Sequence, residues 1–139
     1  MAAERTGDTG MPSARADSRH RVLLVEDDVE VREAIECLLA AEGVDVACAS
    51  EGREALYVLR AEPRPCLIVL DLNMPGVDGW EFRRRQLLWP QMATIPVVVL
   101  SGHSHLKAVT RTMQAVAVWQ KPMQVDLPLR AVADHCPGH

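Results

Sequence analysis

The sequence predicts an α/β fold: a doubly wound, five-stranded parallel sheet with helices on both faces. Three observations predict it. Short, continuous apolar runs stand at residues 22–25 (VLLV), 66–70 (CLIVL) and 96–100 (PVVVL). Such runs suit strands buried on both faces of a parallel sheet. Segments with a helical period lie between them, so strand and helix alternate. Each run also stops at a polar residue, as strands do where they leave a core.

The elements follow in order. Residues 1–20 are rich in Ala, Gly, Ser, Thr, Asp and Arg without a period and read as a disordered leader. The first strand, 22–25, ends in Glu26-Asp27-Asp28. Residues 29–42 read as a helix with Val31, Ile35, Leu38 and Leu39 inward, Asp28 as N-cap and Gly43 as stop. Residues 44–48 alternate as a strand. Residues 51–61 form a helix with Ala55, Leu56 and Leu59 inward, closed by Pro63. The strand 66–70 runs into Asp71, and 72–78 is a loop punctuated by Pro75 and Gly76. A helix covers 79 to about 89, the strand 96–100 ends at Ser101, and a weaker helix covers about 105–114. Residues 116–120 form the last strand, before Lys121-Pro122, and 124 to about 134 the last helix.

Composition bounds what such a chain does. Its 139 residues fit one domain, expected over 21–135 with a tail at 136–139. Apolar residues make up 48%, but only one Phe, one Tyr and three Trp are present, so aliphatic side chains fill the core. The net charge of −4 argues against a nucleic-acid surface, which needs clustered Lys and Arg. No apolar run reaches the ~18–20 residues that span a bilayer, and residues 1–20 lack the apolar core of a signal peptide. Cys37, Cys48, Cys66 and Cys136 form no C-x-x-C pair. They read as three small core residues and one tail thiol in a reducing cytoplasm, not as a zinc site.

Chemistry gathers where strands end. Glu26-Asp27, Asp71, Ser101 and Lys121 each follow an apolar strand, and ligands of open parallel sheets bind beyond the carboxyl ends of the strands. Several carboxylates in one small space repel one another and stay ionised only with a cation between them. A hard divalent cation with oxygen ligands, Mg²⁺ first among candidates, suits them. Lys121 adds positive charge and Ser101 a hydroxyl donor. Together they make a place where a phosphoryl group is neutralised while a carboxylate oxygen attacks in line.

Four segments then stand together: Val25-Glu26-Asp27-Asp28, the block from Asp71 to Gly79 (DLNMPGVDG), Val99-Leu100-Ser101-Gly102 and Lys121-Pro122. In this order and spacing they resemble the receiver domain of two-component response regulators, with its flavodoxin-like (βα)5 fold. The resemblance implies that Asp71 takes a phosphoryl group from the phosphohistidine of a histidine kinase or phosphotransfer protein. It implies that Asp27 binds Mg²⁺ directly with Asp71, Glu26 helping partly through water and Asn73 lending a backbone carbonyl. Lys121 contacts the phosphoryl group or the free carboxylate, Ser101 moves to bond the phosphate, and Pro122 follows a cis bond. Asn73 and His103 tune hydrolysis. Phosphorylation shifts two pre-existing arrangements of the segment after Ser101, and a downstream protein binds the last two helices and last strand. The implied protein is a phosphoacceptor switch, not a classical enzyme.

Other residues have plainer readings. Asp28 is a cap before it is a ligand, and Asp78-Gly79 serves the loop and helix start. Arg83, Arg84 and Arg85 read as a solvated helix face, a docking patch being the alternative. His103 and His105 are loop residues before they are a metal pair. Trp80 and Trp89 pack at helix ends. One departure concerns the aromatic switch usual three residues before the Lys: Val118 stands there, and Trp119 one place later faces the other side of the strand. Only 18 residues follow Lys121, so the expectation is a receiver without a fused output domain, or a piece of a hybrid kinase. The rivals are a phosphorylation-independent binding module and a Mg²⁺-dependent phosphohydrolase, the latter lacking a second Asp at Asn73.

Overall fold

The computed structural model describes residues 21–61, 63–72, 79–102, 111–121 and 127–136. The strands are β1 (Arg21–Val25), β2 (Asp45–Ala49), β3 (Leu67–Asp71), β4 (Val97–Ser101) and β5 (Ala117–Gln120). The helices are α1 (Val29–Ala41), α2 (Gly52–Arg60), α3 (Gly79–Leu87) and α4 (Leu127–His135). Every neighbouring pair of strands is parallel, and the order across the sheet is β2-β1-β3-β4-β5. The winding reverses between β1 and β3, which opens a crevice at the carboxyl end of the sheet. Several expectations lie outside the described residues: the leader, the 73–78 loop, 105–110, Pro122, the first residues of the last helix, and 137–139.

The apolar runs form strands because both faces of the sheet are covered. On one face Leu23, Val25, Ile68, Leu70, Val97 and Val99 pack with Ala55, Leu59 and Phe82 of α2 and α3. On the other, Val22, Leu24, Leu67, Val69, Val98 and Leu100 pack with Ile35, Leu39, Ala131 and Val132 of α1 and α4. The alternation of strand side chains divides the core in this way. It also separates Val118, packed against the first cluster, from Trp119, buried in the second.

β3 and β4 each run one residue further than the apolar runs alone indicate. Asp71 pairs with Leu100 and Ser101 with Gln120, so the ladder continues through the polar residues. Both are therefore held by strand backbone. α1 starts as its sequence predicts: the Asp28 side chain accepts from the amides of Glu30 (3.0 Å) and Val31 (3.3 Å). It stops at Gly43, where φ is +81° and the amide donates to Ala40 O at 3.0 Å.

Two expectations need correction. Arg83 does not face solvent: it is buried, with Nε donating to Met113 O (2.8 Å), one terminal nitrogen to Gln114 O (2.9 Å) and the other to Gln86 Oε1 (2.6 Å). Gln86, also buried, donates to Met92 O (2.8 Å) and Ile95 O (3.2 Å). Residues 111–113 are helical and end at Gln114 in the left-handed region (φ 55°). Arg83 thus caps carbonyls that a helix end leaves unsatisfied. Arg84 and Arg85 are exposed and pair with Glu81, as a solvated face should. The cysteines differ as well. Cys37 is exposed, and Cys136 is a buried residue joined by a disulfide to Cys66 rather than a tail thiol.

Candidate functional site

The site lies where β1, β3, β4 and β5 end together. Glu26 follows β1, and its amide donates to Ala49 O at 3.0 Å. Asp71 closes β3, Ser101 closes β4, and Lys121 follows β5 with its amide on Ser101 O at 2.9 Å. Four separated stretches of sequence reach one edge because four parallel strands share a register.

Charge is concentrated there. Glu26 and Ser101 are fully buried, and Asp71 nearly so. Lys121 Nζ lies 3.0 Å from Glu26 Oε1 and 3.4 Å from Asp71 Oδ2, bridging two carboxylates that face each other out of water. Burial, followed by the neighbouring Asp71, pushes the Glu26 carboxyl up to about 7, against the opposing pull of Lys121 and the Asp28 amide. Burial acts to lower the Lys121 ammonium, but its contacts with Glu26 and Asp71 outweigh that and hold it above its ordinary value. The Glu26 side chain is fixed by the Asp28 amide at 3.1 Å, and the Arg32 guanidinium donates to its backbone carbonyl at 3.0 Å.

Asp27 is exposed at the rim. Carboxylate oxygens of Glu26, Asp27 and Asp71 all lie within 4.8 Å of one another. An all-oxygen, anionic set of this size fits a hard divalent cation. Asp28 is occupied as an N-cap. Asn73 and His103 lie outside the described residues, as do His105 and Pro122. Val118 is partly buried in the α2–α3 cluster. Trp80 is exposed at the start of α3, while Trp89 lies partly buried with the Arg60 guanidinium 5.6 Å above its ring.

Gly79 has a part that its motif alone does not reveal. A Cβ there would collide with the Asp71 carbonyl oxygen and lie 2.7 Å from Leu72 Cα. Its amide donates to Leu72 O at 3.3 Å. α3 therefore begins in direct backbone contact with the strand end that carries Asp71, an approach only glycine permits.

An open α/β sheet whose carboxyl edge gathers buried acids, a lysine and a serine defines a class: a phosphoacceptor signalling module. Residues 22–131 match the family model of the response regulator receiver domain. The chain belongs to that family. It is 32% identical over 123 residues to the C4-dicarboxylate transport transcriptional regulatory protein DctD of Pseudomonas aeruginosa, covering 87% of this chain and 26% of the relative. It is 33% identical over 117 residues to protein-glutamate methylesterase/protein-glutamine glutaminase 2 of Cereibacter sphaeroides, covering 82% of this chain and 31% of that protein. The chain thus spans only the smaller part of these curated relatives. Among solved structures, the chemotaxis response regulator CheY4 of Vibrio cholerae superposes with a TM-score of 0.74 at 26% identity, over 82% of this chain and 96% of that one. Receiver domains are phosphoacceptor switches that bind Mg²⁺ in the acidic pocket and work with histidine kinases or phosphotransfer proteins.

Proposed function

We propose that Asp71 is the phosphoacceptor, and that Lys121 and Ser101 serve the phosphoryl group it carries. The observation that carries this is the Lys121 ammonium between Glu26 and Asp71, 3.0 Å from one and 3.4 Å from the other. One Asp71 carboxylate oxygen attacks the phosphorus of a phosphohistidine. The phosphorus–nitrogen bond breaks, the imidazole leaves with that electron pair, and an acyl phosphate forms on Asp71. Lys121 steadies the Asp71 carboxylate beforehand and pairs with a phosphoryl oxygen afterwards. Ser101, at the end of the adjacent strand, turns its hydroxyl to a second phosphoryl oxygen.

Asp27 and Asp71, with Glu26 and the backbone carbonyl of Asn73, would hold Mg²⁺, which when bound would supply charge neutralisation of the phosphoryl oxygens. Asn73 and His103 set the lifetime of the acyl phosphate. The receiver unit covers residues 21–135 and acts in the cytoplasm. The added charge reaches a protein partner through the last two helices and last strand, without direct contact with nucleic acid or insertion in a membrane. Val118 puts no aromatic ring in that path, so Ser101 carries the coupling. Phosphotransfer profiling against purified histidine kinases tests the proposal. One kinase should label the wild type quickly and leave Asp71→Asn unlabelled; labelling of both proteins alike contradicts it.

A further inference from the structure

The Cys66–Cys136 pair lies at the end of the sheet opposite to Asp71. Cys66 directly precedes β3, and Asp71 closes that strand, five residues or roughly 16 Å further along. Cys136 directly follows α4, so the bond fastens the end of that helix to the foot of the strand bearing the acceptor. The two Cα atoms are 5.2 Å apart, inside the range a disulfide spans.

The two sides of this bond are unequal. Cys66 is firmly anchored: its amide donates to Arg21 O at 2.8 Å, and the Arg21 guanidinium donates to Pro63 O at 3.1 Å. α4 is held more lightly. Its buried residues are Pro128, Ala131 and Val132, all small, with Leu127 and Leu129 only partly covered. Such a face removes less apolar surface from water than the Ile35 and Leu39 face of α1. The covalent tie adds to this light packing at the end of α4.

The two residues also differ in burial. Cys136 is buried and Cys66 is only partly so. Cys66 Sγ lies 3.3 Å from Arg21 O, so its thiol has an acceptor waiting once reduced. The geometry points to a reversible thiol–disulfide clamp between Cys66 and Cys136 that sets the freedom of α4, with low-molecular-weight disulfides and thiols of the glutathione class as its exchange partners.

On reduction, a small thiolate attacks Cys66 Sγ, the bond between the two cysteine sulfurs breaks, and Cys136 leaves as a thiolate and takes a proton. A second small thiolate attacks the mixed disulfide and releases Cys66 as a thiol, so two small thiols become one small disulfide. Oxidation reverses each step. Since α4 belongs to the surface proposed to meet the partner, the consequence for signalling rests on that reading: oxidation locks the helix in the arrangement seen here, and reduction frees it. The clamp itself does not depend on it.

The test uses the full chain in oxidised and reduced glutathione. After oxidation, alkylation and peptide mapping should show Cys66 linked to Cys136, with Cys37 and Cys48 alkylated. Backbone amides of Leu127–His135 should exchange more slowly in the oxidised protein, and Tm should lie higher by on the order of 10 °C. Cys66→Ser and Cys136→Ser should each abolish both differences, whereas Cys37→Ser should keep them. Asp71 labelling by acetyl phosphate, followed in the same samples, should proceed in both redox states. Alkylation of all four cysteines after oxidation overturns the clamp, as does a linkage that leaves helix exchange and Tm unchanged. Loss of Asp71 labelling in both states instead counts against the phosphoacceptor assignment and leaves the clamp standing.

Discussion

Two residues show how tightly the site is balanced. Lys121 is the counter-charge for two buried carboxylates, and truncating it leaves Glu26 and Asp71 facing each other without it. Removing one partner of a buried ion pair costs more than the pair contributes net, because the remaining charge is stranded. Lys121 is partly exposed (29%), so some of that cost is relieved by water. Lys121→Met should lower the stability of the metal-free protein by about 2–3 kcal/mol in urea unfolding near pH 7. The loss should shrink when Mg²⁺ is added, since a cation can then take over part of the neutralisation. Gly79 is constrained by space instead of charge. Gly79→Ala should cost about 1–3 kcal/mol and slow acetyl-phosphate labelling, because relieving the collision moves the backbone of Asp71 itself. An exposed glycine with open space around it, such as Gly102, should tolerate alanine without either effect.

At the scale of elements, α3 links the site to the rest of the molecule. It starts against Asp71 at Gly79, and through Arg83 it holds the turn that leads into β5, the strand before Lys121. Arg83→Ala would leave the Met113 carbonyl and the Gln86 side chain short of donors in a buried place, and would take one donor from the part-buried Gln114 carbonyl. Urea unfolding should show a loss of about 2–4 kcal/mol with little change in slope. Asp28→Ala, which removes only an exposed cap, should cost about 1 kcal/mol. The contrast explains what was legible in the sequence. Strands buried on both faces announce themselves as apolar runs, and a capped helix such as α1 is marked by Asp28 and Gly43. Arg83 gave a mixed signal. Gly79, Phe82, Arg83 and Gln86 fall on one helical stripe, and all four are buried. The period pointed inward while the charges of Arg83, Arg84 and Arg85 pointed outward, and here the period won, because carbonyls at a helix end were waiting for donors.

Across the whole molecule, the sheet does the assembling. Glu26, Asp71, Ser101 and Lys121 are far apart in the chain and meet only because parallel strands in the order β2-β1-β3-β4-β5 end together. That meeting was legible, since Glu26, Asp71 and Ser101 directly follow apolar runs and Lys121 follows the last segment read as a strand. The ion pair from Lys121 to Glu26 was not, because pairing between ends of non-adjacent strands depends on twist and register that no local pattern records. The disulfide was equally hidden: Cys66 and Cys136 are separated by 70 residues, and the strand foot meets the helix end only in the folded chain. If Glu26, Asp27 and Asp71 share a cation, Mg²⁺ should raise Tm in a concentration-dependent way, adding about 1.4 kcal/mol at ten times its dissociation constant. Asp27→Asn should largely remove that rise while leaving the metal-free Tm nearly unchanged, as differential scanning fluorimetry can show. The most direct measurement is intact-mass and peptide analysis of the protein treated with acetyl phosphate. One phosphoryl group should appear on Asp71 in Mg²⁺, vanish with chelator, and be absent from Asp71→Asn. A phosphoryl group that persists in Asp71→Asn, or maps to another residue of the wild type, would contradict the account.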